Sequence, residues 1–447
     1  MIKMIKKIRK VYLSKIEGRH RSDLLAQLIV YALTIVSGIF IGAYVARYLG
    51  PSELGIMSIL LTLAAIAVPL LDLGTHSILV KKFSQKSEEV RQLFWSVFWA
   101  KLALSGFLFL VLYQTVRAGI FSSLAGQPSL IIFLGLSVIL ISAVNQFRSN
   151  IVAAVQNRAL MKGQITCLSI GAILRAGCVY FELTLEWFLG ANLVIIALGN
   201  INVLMTAIYY KLIPKLTGFS FRAFKESLGE SWPLILSGVA ILLFNRIDMV
   251  MIDYFLTEKD IGHYWVSLRL LETLCFLPVG ISTTLSSKIY QKLKTPKIEK
   301  QQVIMQAVFA SVAVPSLVIS VIALIGGLIF IPLLYGEEYS PSTWAFCIAV
   351  FGLPAVSLGM MRQIYITHEK SNKLSMYATS LALFSNVGMN IILIPLWGIC
   401  GAAVATVLSL YVSSVLSTRL FFSKWLFKAQ IEAFTRNPMV NIRIITR

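Results

Sequence analysis

Residues 55–80 read GIMSILLTLAAIAVPLLDLGTHSILV, and residues 81–91 read KKFSQKSEEVR. The first stretch holds one acid, Asp72, and no Lys or Arg. The second holds four cations, Lys81, Lys82, Lys86 and Arg91. An apolar run of this length matches the ~30 Å hydrocarbon core of a bilayer at about 1.5 Å per helical residue. Lipid offers no hydrogen bonds, so the run must satisfy its backbone internally and is a helix. The cation cluster at its end is a topology signal.

Outward from this stretch the same alternation repeats. Apolar segments lie at 22–46, 55–80, 93–116, 129–147, 165–183, 187–210, 232–256, 262–287, 303–334, 343–361, 374–394 and 398–418. Of the 40 basic residues, 33 lie in the termini and the even-numbered gaps. The odd-numbered gaps hold only Arg47, Arg117 and Lys259. Cytoplasmic loops collect Lys and Arg, so both termini are expected in the cytoplasm. Most of the Trp residues fall at segment ends, where an aromatic belt meets headgroups.

The composition agrees: 57% hydrophobic and 13% charged residues, with mean hydropathy +0.80, exclude an ordinary soluble globule. A net charge of +20 spread over alternate loops speaks for membrane orientation and against nucleic acid. Residues 1–21 carry eight cations, with Ile5, Ile8, Tyr12 and Ile16 on one helical face, as in an interfacial helix on anionic lipid. No cleaved signal peptide is expected, because the next apolar run is too long. The five Cys stand apart with no metal or redox spacing, and no phosphate-loop string is present, so neither a metal nor another cofactor is expected.

An internal repeat is legible. Tyr48-Leu49-Gly50-Pro51-Ser52-Glu53-Leu54-Gly55 and Phe255-Leu256-Thr257-Glu258-Lys259-Asp260-Ile261-Gly262 share an aromatic-Leu start, an acid, an apolar residue and a closing Gly. Trp187 and Trp397 likewise precede Gly190 and Gly401. The expectation is an all-α membrane protein of twelve transmembrane helices in two six-helix lobes related by a parallel pseudo-two-fold repeat. Its parts are 1–21, the interfacial helix; 22–210, the N-lobe; 211–231, a cytoplasmic linker; 232–418, the C-lobe; and 419–447, a basic cytoplasmic tail.

Four cations fall inside apolar segments: Lys101, Arg175, Arg246 and Arg269. Ionisable groups at membrane depth face the protein interior and find partners. Residues equidistant from a tight turn share a depth on the two helices of a hairpin. This pairs Asp72 with Lys101, Arg246 with Glu272, and Asp248 with Arg269, while Arg269 and Glu272 also lie three apart on one helix. Such pairs either lock their hairpins or form a switchable network that turns an arginine toward an anionic headgroup. Asp253 is expected to reach water. Arg175 has no acid at matching depth in its hairpin, so its partner is an anionic ligand or an acid on a distant helix such as Asp72 or Asp248. Asn145, Gln146 and Asn150 are weaker candidates for sugar contact, with Gln164 and Asn386 beside them. Polar glue between helices is the commoner role of such residues.

Six strings carry a family resemblance: Ala46-Arg47-Tyr48-Leu49-Gly50-Pro51, Leu71-Asp72-Leu73-Gly74, Asn245-Arg246-Ile247-Asp248, Gly262-His263-Tyr264, Leu334-Tyr335-Gly336-Glu337-Glu338-Tyr339 and Gly398-Ile399-Cys400-Gly401-Ala402-Ala403. With them the chain resembles the polysaccharide repeat-unit (O-antigen/capsule) flippases of the multidrug/oligosaccharidyl-lipid/polysaccharide exporter superfamily. The resemblance implies alternating access in a bacterial cytoplasmic membrane and an undecaprenyl-diphosphate-linked oligosaccharide as cargo. It further implies membrane lipids and a polysaccharide polymerase as partners, action as a monomer, and no catalysis. Thr257-Glu258 departs from the family's glycine turn. Ion-coupled export of drugs or of another lipid headgroup is the alternative, although cationic drugs call for an acidic cavity. A polymerase or ligase needs a larger outer loop than this chain offers, and a scaffold leaves the buried cations idle.

Overall fold

The computed structural model describes residues 38–72, 74–85, 89–154, 157–294, 298–369 and 372–435. The interfacial helix expected at 1–21 lies outside them. We number the main helices α1 (Gly38–Asp72), α2 (Thr75–Ser84), α3 (Val90–Arg117), α4 (Ser129–Ala153), α5 (Asn157–Tyr180), α6 (Leu185–Tyr209), α7 (Phe221–Phe255), α8 (Glu258–Leu274), α9 (Phe276–Leu293), α10 (Ile298–Tyr335), α11 (Glu337–His368), α12 (Asn372–Tyr411) and α13 (Lys424–Glu432). Several contain short irregular turns, and α4 passes through a 3-10 turn at Ser142–Phe147.

Among the described residues, nine helices are long and apolar enough to cross a membrane. The count falls below the twelve apolar stretches partly because α1 and α12 each run on through a break. In α1 the break is Gly50, at φ 72, followed by Pro51. In α12 it is Gly398, at φ 57 and ψ −137. Only glycine adopts such backbone without strain, so a single residue redirects the chain without a loop. The α7–α8 turn is made differently. Thr257 N-caps α8, its N–H and hydroxyl both donating to the Asp260 carboxylate at 3.1 and 2.7 Å. This capping box is the local reason the sequence dispenses with a glycine there.

Two compact units emerge. One comprises Met1–Val45, Gly74–Phe107 and Ser137–Ser231; the other comprises Ala46–Leu73, Leu108–Leu136 and Trp232–Arg447. In the first unit Phe94, Trp95, Phe98 and Phe147 form an edge-to-face aromatic cluster. The Trp95 indole donates to the Lys215 carbonyl at 3.0 Å and ties down the segment after α6. The second unit has an apolar core of Val308, Phe309, Leu358, Met361 and Leu426.

Within the second unit the two repeated octapeptides meet. A Cβ added to Gly55 would lie 1.8 Å from the Glu258 carbonyl oxygen. One added to Gly262 would lie 2.1 Å from the Pro51 carbonyl oxygen. The contact is reciprocal, with each glycine against the residue four positions before the other. It brings the start of α8 against α1.

Candidate functional site

Arg246 sits nine residues before the end of α7, about 14 Å along the helix, and Arg269 eleven residues into α8. Both guanidinium groups reach one carboxylate. Arg246 Nη2 lies 2.9 Å from Glu272 Oε1, and Arg269 Nη1 lies 3.4 Å from Glu272 Oε2. The pairs predicted between Arg246 and Glu272 and between Arg269 and Glu272 are therefore present. The three side chains keep 27%, 40% and 35% of their surface accessible in the order Arg246, Arg269, Glu272, so the cluster is open to a ligand. Two cations share one anion, which leaves one positive charge unneutralised by Glu272.

Asp248 does not pair with Arg269. It is 2% exposed and accepts the Tyr264 hydroxyl at 2.5 Å and the Met249 N–H at 2.9 Å. Depth arithmetic placed it correctly along the axis, but residues two apart on a helix point about 200° apart. Once Arg246 faces Glu272, Asp248 faces away. There it starts a buried polar chain: Tyr264 contacts Thr406 at 3.3 Å, and Asn390 donates to Asn386 at 3.0 Å. Asn386 is fully buried in this chain and donates to the Thr406 hydroxyl at 3.5 Å across the break in α12, so it is not an open sugar contact.

Arg175 has a partner that the sequence reading did not weigh. Its Nη2 donates to Asn192 Oδ1 at 2.7 Å, and Asn192 is itself oriented by donating to the Phe188 carbonyl at 3.0 Å. This partner is a neutral amide across the α5–α6 hairpin at matching depth, a residue type the depth pairing of charges passes over. Asp253 is likewise not in water. It is 2% exposed and accepts the N–H groups of Ser122 and Ser123, each at 3.1 Å, together with the Ser123 hydroxyl. Lys101 is buried and Asp72 half-buried.

The amide candidates divide by environment. Gln146 and Asn150 are buried and donate to the Phe94 and Leu212 carbonyls, both at 3.0 Å, as glue within the first unit. Asn145 and Gln164 remain exposed and line one cavity.

One buried cation escaped the sequence reading. Arg362 was counted with the cytoplasmic loop, one residue beyond the segment ending at 361, yet it is 5% exposed within α11. Its Nη1 donates to the Ser413 carbonyl and the Ser417 hydroxyl, both at 2.6 Å, and its guanidinium lies 5.3 Å from the Phe422 ring centroid. These acceptors belong to a π-helical stretch, 412–422, in which the ordinary helical ladder is interrupted. The run of hydroxyls Ser413, Ser414, Ser417 and Thr418 was the available signal.

Four of the six resemblance strings touch one another in the second unit. Tyr339 donates to the Ala46 carbonyl at 2.8 Å, Tyr264 joins Asp248, and the His263 ring stands edge-on to Tyr339 at 5.7 Å.

The fold is shared with solved structures of membrane proteins. It is similar to "Lipid II flippase MurJ, inward closed conformation" with a TM-score of 0.67 and 16% identity over 94% of this chain and 95% of that one. An inward-facing multidrug MATE family transporter matches with a TM-score of 0.63 and 15% identity over 95% and 98%. The sequence pattern of the family described as "Polysaccharide biosynthesis protein" matches residues 44–344, more than half of the chain, and the chain belongs to that family. Among curated relatives, "Probable low-salt glycan biosynthesis flippase Agl15" of Haloferax volcanii is 23% identical over 84% of this chain and 78% of its own length. "Probable flippase AglR" of the same organism is 29% identical over 39% and 37%.

Proposed function

We propose that the chain is a non-catalytic flippase that moves polyprenyl-diphosphate-linked oligosaccharide repeat units, with undecaprenyl as the carrier, from the cytoplasmic to the outer leaflet by alternating access. The observation that carries this reading is the Arg246–Glu272–Arg269 cluster. A diphosphate lipid needs cations at membrane depth that are open to it, and guanidinium groups fork onto phosphate oxygens. Glu272 holds both arginines when the site is empty, and phosphate oxygens replace it in the loaded state. Lys101 and Arg175 are secondary candidates for headgroup contact, and Asp72 and Asp248 for the network that responds to it.

In this reading the twelve apolar stretches are twelve crossings in two six-helix lobes, 22–210 and 232–418. The basic linker 211–231, the interfacial helix 1–21 and the tail 419–447 are cytoplasmic. Family membership and the relatives' names support glycan export through a cytoplasmic membrane. O-antigen or capsule units, a polymerase partner and action as a monomer belong to the same proposal.

The test is translocation in proteoliposomes. Fluorescent undecaprenyl-diphosphate carrying N-acetylglucosamine should cross faster with the wild-type protein than without it, and Arg269→Ala should lower the rate while the protein still melts cooperatively. Absence of lipid translocation together with uptake of a lipophilic cation would overturn the proposal in favour of drug export.

A further inference from the structure

Between α4, α5 and α6 the first compact unit has a half-open cavity of about 240 Å³ lined by five polar side chains, Asn145, Arg148, Gln164, Asn200 and Asn202. Two of them are fixed. Asn200 Nδ2 donates to the Ile141 carbonyl at 2.8 Å and Asn202 Nδ2 to the Leu160 carbonyl at 3.2 Å. Each amide spends one of its two N–H donors on the backbone, and its side-chain oxygen accepts no hydrogen bond among the described residues. The other three form no side-chain hydrogen bond or ion pair among the described residues. Their neighbours behave in the opposite way, since Gln146 and Asn150, in the same stretch of chain as Asn145, are buried and bonded to backbone carbonyls.

Depth makes this arrangement informative. Asn202 and Asn200 lie seven and nine residues before Tyr209, the end of α6, or about 10 and 14 Å along the helix. Polar side chains at membrane depth normally pair across helices or face a filled cavity. Here the Asn200 oxygen, two free amides and one guanidinium are left to a guest, while the Asn202 amide packs on Gly163. The set offers both donors and acceptors, which suits a polyhydroxyl ring. No acid lines the cavity, so it offers nothing to a cationic guest, and Arg148 can fork onto a carboxylate. The volume is below the ~300 Å³ at which drug-sized pockets begin. It therefore suits one ring and not a whole repeat unit.

We propose that this cavity is a headgroup subsite that receives one neutral or acidic sugar unit of the lipid-linked cargo. The inference rests on the flippase reading above and adds to it which part of the headgroup the first unit reads.

The test compares lipids by affinity, using the full-length protein in detergent. The probes are undecaprenyl-diphosphate, its glucuronic acid conjugate and its glucosamine conjugate with a free amine. Wild type should bind the glucuronic acid conjugate roughly tenfold tighter than the bare lipid, the effect of one or two net hydrogen bonds. The glucosamine conjugate should gain nothing. The Asn145→Ala/Gln164→Ala double variant and Arg148→Ala should each bring the glucuronic acid ratio to about one while leaving affinity for the bare lipid unchanged. Arg269→Ala should weaken all three lipids together. A glucuronic acid advantage that persists in both cavity variants overturns the subsite alone. Wild-type protein that binds none of the lipids overturns both readings.

Discussion

Gly55 and Gly262 are in reciprocal backbone contact, each leaving less space than a methyl group needs, with the nearest oxygens 1.8 and 2.1 Å from the added carbons. These glycines close the two repeated octapeptides. The close approach, and not a special backbone angle, is what requires glycine at both places.

Gly55→Ala and Gly262→Ala should each force the start of α8 away from α1. Overpacking of this kind costs about 1–3 kcal/mol. The melting temperature of the purified protein should fall and polysaccharide export in a complementation assay should drop. Gly106 has nothing within 4 Å of an added carbon, so Gly106→Ala should leave both unchanged. Equal behaviour of all three variants would mean the contact is not maintained in the membrane.

Asp253 holds the 3-10 turn at Ser122–Leu124 through two backbone N–H groups. Asp253→Ala leaves the buried Ser123 N–H without its acceptor, a loss of about 1–3 kcal/mol, and releases the more exposed Ser122 N–H at smaller cost. Hydrogen exchange or limited proteolysis should show residues 118–128 opening first. Unchanged protection there would remove the tethering role.

Arg246 and Glu272 form a pair whose sign can be reversed. Arg246→Glu and Glu272→Arg should each abolish export, because each leaves like charges together at membrane depth. The double reversal should restore expression and melting temperature but not export, since Arg269 then faces a Glu at 246 and an Arg at 272. Export by the double variant at the wild-type level would reduce the cluster to a hairpin lock.

Arg175 and Asn192 make a second test of role. If Arg175 acts through its bond to Asn192, Asn192→Ala should reproduce the export defect of Arg175→Ala. If Arg175 binds the headgroup directly, Asn192→Ala should be mild, Arg175→Lys partly active and Arg175→Ala inactive. Full export by well-expressed Arg175→Ala protein would dismiss both roles.

Arg362 organises the π-helical stretch after α12 through one nitrogen. Arg362→Met keeps most of the volume but removes the bonds to the Ser413 and Ser414 carbonyls, which retain donors from Ser417, Thr418 and Gln430, so the loss is about 0.5–1.5 kcal/mol for each bond. The expected result is a lowered melting temperature with unaltered membrane insertion.

Much of the candidate site was legible in one dimension. Counting from the α7–α8 turn put Arg246 opposite Glu272, and they meet at 2.9 Å. The same counting paired Asp248 with Arg269 and failed, because depth along a helix is linear in sequence whereas azimuth depends on how the helix is rotated. Arg175 looked solitary because only charged partners were sought, although an amide at the same depth satisfies a guanidinium. Arg362 was assigned to a loop because hydropathy does not separate a buried arginine from a loop arginine one residue past a span.

By itself the sequence determined the membrane class, the helical segments, the expected orientation and the repeated octapeptides. Each of these follows from hydropathy, from charge, or from the order of residues along the chain. Only the tertiary structure decided which charges pair, which amides are spent on backbone carbonyls and which stay open to a cavity. Those outcomes depend on helix rotation and on contacts between residues far apart in sequence. Gly55 meets Gly262, and Arg362 meets Ser413 and Ser417, because packing brings their helices together.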